Sequence, residues 1–260
     1  MNRLQKRLYE LKLSQEKGLV GFIMAGQPDF TTGVDCAKIL AEAGCDVLEI
    51  GVPYADPIAD GEVIERAHFR GVEQGMNMTK SLEFVRAVSE SCSLPVVVFS
   101  YVNPILRRGV ETFADELRAS GASAVIIPDL PLEERERYDQ ADMDIVPMLA
   151  PTADEERIAR ADRFARSFIY CVSVAGVTGE RDSLPDLAHY LSRVKTHTTH
   201  PLAVGFGISS ADQVARIKEY ADLVVLGSLL VRTIEENRGK QVRLLSELEK
   251  TVKSLKAALR

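Results

Sequence analysis

An α/β chain closing into a (β/α)8 barrel, with an extra helix at the N-terminus, is the fold these residues predict. Three observations carry it. Apolar runs of strand length alternate with helix-period segments eight times over. A weak internal repeat recurs at 41–51, 119–129 and 219–227, each copy a helix end, a short turn and a continuous apolar run. Runs of that kind suit strands buried on both faces of a parallel sheet. No Pro/Gly/Ser-rich linker interrupts residues 1–260, so the chain reads as one domain. Eight such units in about 250 residues match the TIM barrel. The count alone does not prove closure, and an open doubly wound sheet is the alternative. Against it, Gly26-Gln27-Pro28-Asp29 stands where a dinucleotide fingerprint would follow the first strand.

The opening helix is amphipathic, with Leu4, Leu8 and Leu11 on one face. Strands are expected at 19–25, 47–51, 95–101, 123–128, 145–149, 168–172, 202–205 and 223–226. Helical periodicity fills 32–43, 63–74 with 80–89, 110–120, 132–141, 155–164, 185–195 and 211–220. Two further helices, 229–236 and 242–259, close the series.

Hydrophobic residues make up 46% of the chain and charged residues 27%, enough for a substantial core. Thirty-two Lys+Arg against 38 Asp+Glu give a net charge of -6, which argues against a basic-patch nucleic-acid binder. No stretch approaches the roughly 20 apolar residues needed to span a bilayer. The N-terminus runs into charged helix without a signal-like apolar core, so a cytoplasmic setting away from membranes is expected. Cys36, Cys45, Cys92 and Cys171 are scattered and share no ligand spacing with His68, His189, His197 or His200. Reduced thiols and no metal are the expectation, and the histidines read as ordinary helix-face residues.

In such barrels chemistry sits at the C-terminal ends of the strands. Glu49 lies inside the apolar second strand, sharing a side with Val47 and Gly51 by period-two alternation. An unpaired buried carboxylate resists ionisation, so a chain seldom keeps one without a use. A structural salt bridge in the upper layer of the barrel is the plainer alternative for Glu49. Asp60 follows on a Gly/Pro-rich loop, where Asp-Gly is commonly just a turn. Two carboxylates in different surroundings can hold different pKa values, as acid/base chemistry needs. Farther on, 205–210 follows the seventh strand, and Gly227-Ser228 follows the eighth and opens a helix. Glycines there let backbone N–H groups approach an anion, and loops after strands seven and eight are the usual phosphate cradle of this barrel. Alternatively the glycines serve as turns and the serines as caps. The polar stretch 175–183 suits a lid over a substrate, or a plain surface loop.

Residues 48–61, Leu-Glu-Ile-Gly-Val-Pro-Tyr-Ala-Asp-Pro-Ile-Ala-Asp-Gly, closely resemble the signature of the tryptophan synthase alpha subunit family. Tyr101-Val102-Asn103-Pro104, Asp129-Leu130-Pro131, Gly176-Val177-Thr178-Gly179, 205–209 and Gly227-Ser228 follow in that family's order, so the resemblance spans the chain. It implies retro-aldol cleavage of indole-3-glycerol phosphate to indole and glyceraldehyde 3-phosphate, without a cofactor. Glu49 is implied as acid/base and Asp60 as the partner of the indole N–H. Phe22, Tyr101, Ile126 and Tyr170 are implied for the indole pocket, and Gly179, Phe206, Gly207, Gly227 and Ser228 for the phosphate. Thr178 would couple the lid to Asp60. The resemblance also implies a heterotetramer with a beta subunit, docked through Pro53, Asp56, Asn103 and Pro131, to which indole passes.

Three positions depart from the family pattern: Ala55 for the usual Ser or Thr, Glu62 for a common Pro, and Glu65 for a frequent Gln. None removes a catalytic group. A non-catalytic activator of the beta subunit is the second reading, and another phosphate-binding barrel, such as a sugar-phosphate epimerase, the third.

Overall fold

The computed structural model describes residues 1–172, 184–205, 207 and 210–260, with backbone alone at 139–140 and 184–186. Nine strands stand in this part of the chain: β1 (Gly18–Met24), β2 (Val47–Gly51), β3 (Val96–Phe99), β4 (Ala124–Ile126), β5 (Ile145–Val146), β6 (Met148–Leu149), β7 (Ile169–Val172), β8 (Leu202–Gly205) and β9 (Leu223–Leu226). Their order in the sheet is β5-β4-β3-β2-β1-β9-β8-β7-β6, with every pairing parallel. The two ends of that order are successive pieces of one chain run. The single strand expected at 145–149 is split at Pro147, which has no N–H to give a ladder. Its first half pairs with β4 and its second with β7, so the run itself joins the ends and the barrel is nearly closed.

Around the strands lie α1 (Arg3–Ser14), α2 (Phe30–Ala43), α3 (Glu62–Glu73), α4 (Met78–Ser91), α5 (Val102–Arg108), α6 (Val110–Ala119), α7 (Glu155–Phe164), α8 (Leu184–Lys195), α9 (Ala211–Ile217), α10 (Ser228–Glu236) and α11 (Gln241–Leu259). Two helical segments also differ in kind from the sequence expectation. Residues Leu132–Ala141 form a 3-10 helix rather than an α-helix. Among its described side chains the buried ones are Leu132, Arg135, Tyr138 and Ala141, one every third residue, which is the period of a three-residue turn. The unexpected α5 begins at Val102, whose N–H donates to Asp129 Oδ1 at 2.8 Å. Pro104 is tolerated there because N–H groups in a first turn have no partner within the helix.

Period-two alternation sorts the strands into two apolar layers. Leu19, Ile23, Leu48, Ile50, Val96 and Val98 face the surrounding helices. Val20, Phe22, Val47, Val97, Phe99 and Ile126 fill the interior, sealed by Leu4, Leu8 and Leu11 of α1. One buried charge ties this end together: Asp46 receives Arg7 and Lys256, each at 2.6 Å, and the Leu19 N–H at 2.6 Å. It thereby links α1, β1 and α11. No helix among the described residues is long and apolar enough to cross a membrane.

Candidate active site

Glu49 projects into the barrel from β2, on the Val47 side, and is 3% exposed. Burial, and secondarily the negative charge of Asp60, push its carboxyl up to about 8 from an ordinary 4.5. It lines a cavity of about 660 Å³ at the C-terminal end of the strands. Asp60, Phe22, Phe99, Met148 and Tyr170 share that cavity, as do Gly207, Gly227, Ser228 and Arg232. Two glycines make room for its aromatic walls. A Cβ on Gly51 would come within 2.7 Å of the Phe22 ring, and one on Gly205 would overlap the Tyr170 hydroxyl. Burial, together with the charges of Glu49 and Asp60, drives the Tyr170 phenol well above its ordinary range, so its proton stays in place.

Asp60 hangs on the loop between β2 and α3, its side chain 5% exposed. Tyr101 donates its hydroxyl to Asp60 Oδ2 at 2.6 Å and accepts the Ala59 N–H at 3.0 Å. Burial and the Asp60 charge raise the Tyr101 phenol, keeping it a donor. His68 Nε2 lies 3.1 Å from the same oxygen. Tyr101 and Ile126 are fully buried and do not line the cavity. Tyr101 stands behind Asp60, and Ile126 packs in the barrel interior.

The anion-binding elements are described in part. Gly207 has φ +80°, a conformation that favours glycine, and a Cβ there or on Gly227 would meet nothing within 4 Å. Ser228 is the first residue of α10, so the N-terminal end of that helix opens at the cavity. Ser210 caps α9 in a capping box with Gln213 and has the simpler of its two expected roles. Thr178, Gly179 and Phe206 lie outside the described residues, as does most of the expected lid. Among the described residues no group of three or more His, Cys, Asp or Glu is arranged to hold a metal ion.

A model of the tryptophan synthase alpha chain family matches residues 8–260. The chain is 46% identical over 255 residues to the tryptophan synthase alpha chain of Syntrophomonas wolfei, covering 97% of this chain and 98% of that one. The chain belongs to the tryptophan synthase alpha family. The alpha chain of Carboxydothermus hydrogenoformans is 41% identical, with 99% of each chain covered. Tryptophan synthase subunit alpha from Legionella pneumophila superposes with a TM-score of 0.90 at 30% identity, covering 100% of this chain and 98% of that one.

Against the tryptophan synthase alpha pattern, the departures in the 53–65 loop and helix start are conservative in their physics. Glu62 opens α3, where both Glu62 and Glu65 lie in the first turn and oppose the positive end of the helix. Ala55 is exposed. Of the four docking residues the family resemblance implies, Asp56, Asn103 and Pro131 are exposed. Pro53 is buried, packed so tightly on α3 that a Cβ on Gly71 would come within 2.5 Å of it. Sequence reading missed Phe99, Met148 and Arg232 as cavity residues. Phe99 was accessible by alternation from Val97, since both face inward on β3.

Proposed function

We propose that the chain catalyses the alpha reaction of tryptophan biosynthesis, cleaving indole-3-glycerol phosphate to indole and glyceraldehyde 3-phosphate. The observation that carries this reading is a buried carboxyl, raised to about 8, sharing one cavity with a second carboxylate. Glu49 gives its proton to indole C3, which turns the ring into an electron acceptor. The bond between indole C3 and the glycerol carbon breaks, and its electron pair restores the aromatic ring. The hydroxyl proton beside that bond passes to the Glu49 carboxylate as the aldehyde forms. Asp60 accepts the indole N–H and offsets the positive charge that develops on the protonated ring. Acid, base and ring supply every step, so the chemistry asks for no cofactor.

Phe22 and Tyr170 flank the indole, with Ile126 and Tyr101 supporting them from within. Gly207, Gly227 and Ser228 hold the phosphate, joined by Gly179 and Phe206, while Thr178 links lid closure to Asp60. Arg232, exposed one turn into α10, adds a positive charge on that side of the cavity. The chain works as one domain over 1–260, in the cytoplasm, within an α2β2 complex. Exposed Asp56, Asn103 and Pro131 meet the beta subunit there, and Pro53 shapes the Asp56 loop from inside.

Indole release from indole-3-glycerol phosphate, measured with a beta subunit present, tests this directly. Turnover is expected, and its loss in Glu49→Gln with partner binding retained. A wild-type chain that binds the beta subunit yet releases no indole would be an activator instead.

A further inference from the structure

His68 lies in α3, fully buried, and both ring nitrogens are engaged by the loop that precedes the helix. Nδ1 stands 3.0 Å from the backbone nitrogen of Tyr54, a group that can only donate. Nδ1 therefore accepts, and the ring proton resides on Nε2. From there it is donated to Asp60 Oδ2, the oxygen that also takes the Tyr101 hydroxyl. Both donors converge on one oxygen. No described residue hydrogen-bonds Oδ1.

A carboxylate on a loop swings about two soft torsions, and two buried donors on one oxygen remove that freedom. The donors are themselves held in place: the His68 and Tyr101 rings meet edge to face, centroids 5.8 Å apart. Tyr101 is fixed again by the Ala59 N–H. We infer that His68 is a positioning residue for the cleavage reaction, its neutral Nε2–H tautomer holding Asp60 so that Oδ1 is left for the indole N–H. This rests on the reading of Asp60 as the group that meets that N–H. The tautomer is imposed by Tyr54, so the start of the loop sets the donor that orients its end. Spacing alone conceals such a role. His68 sits on the inner face of an ordinary amphipathic helix, 8 residues from Asp60 and 14 from Tyr54.

Two substitutions separate the two bonds. In His68→Gln the amide nitrogen reaches the place of Nε2 and keeps the donor to Asp60, while the acceptor for Tyr54 is lost. In His68→Asn the side-chain oxygen replaces Nδ1, and nothing reaches Asp60. Measured in complex with the beta subunit, kcat should fall about tenfold to a hundredfold in His68→Asn, with KM far less affected. His68→Gln should recover most of that loss although its thermal midpoint is no higher. A His68→Asn enzyme with wild-type kcat, or equal losses in both variants, would overturn the inference. Asp60→Asn measured alongside distinguishes the two readings. If Asp60→Asn turns over normally, the role of Asp60 falls and that of His68 with it. If it is inactive while His68→Asn is not, only the role of His68 falls.

Discussion

Glu49 owes its raised pKa first to lost water and second to a neighbour of like charge. Below its ordinary value of 4.5 the group is protonated in both folded and unfolded chains. As pH rises toward about 8, the unfolded chain ionises while the folded one keeps its proton, so folding stability is lost across that window and levels off above it. The total is on the order of 4–5 kcal/mol. Glu49→Gln, which cannot ionise, should therefore gain on wild type in urea-unfolding free energy as pH rises through the window. A constant difference would return the carboxyl to the ordinary range. Glu49 was legible because a carboxylate in an apolar run is conspicuous and strand alternation gives its side. Asp60 was legible only through its motif, because its fixed geometry comes from Tyr101, 41 residues away, and from His68.

At the level of elements, glycines decide where the aromatic walls stand. Gly205, at the end of β8, has no positive φ that would bar alanine, so the Gly205→Ala penalty comes from overlap with the Tyr170 hydroxyl and ring. Overpacking of this kind costs about 1–3 kcal/mol. The variant should melt lower and show a raised KM for indole-3-glycerol phosphate. A normal melting temperature and KM would mean that Tyr170 moves aside freely. Most strands and helices were readable from periodicity, and β2, β8, β9 and α7 match to the residue. The 3-10 helix differs from the helical periodicity expected over 132–141, although Leu132, Arg135, Tyr138 and Ala141 already carried the three-residue period. The start of α5 was hidden because its first N–H is satisfied by Asp129, 27 residues on.

On the scale of the molecule, the end of the barrel opposite the cavity depends on Asp46. It sits at the junction of α1, β1 and α11, with Arg7 and Lys256 as ion-pair partners. Removing one member of a buried, hydrogen-bonded charge set costs about 3–5 kcal/mol; here the Leu19 N–H would lose its acceptor and Arg7 and Lys256 their buried counter-charge. Asp46→Ala should lose stability of that size in urea unfolding, while the variant that folds keeps its KM, since the cavity lies at the other end of the strands. A loss below about 1 kcal/mol would mark the cluster as an ordinary surface bridge. The alternation of elements put the barrel ahead of the open sheet without proving closure. It did not show how the ends of the sheet meet, because that depends on the pairing of four residues around one proline.

That junction gives the ring an expansion joint. Pro147 divides one strand between two neighbours, so each half is held on one side only, by a ladder of two residue pairs, and short ladders open first. Amide protons of Ile145, Val146, Met148 and Leu149 should exchange with solvent ahead of those in β1 and β2. Met148, beside the joint, lines the cavity. A bound indole pressing on Met148 should slow that exchange, and the pocket can adjust its width on this arc while the Glu49 side of the barrel stays rigid.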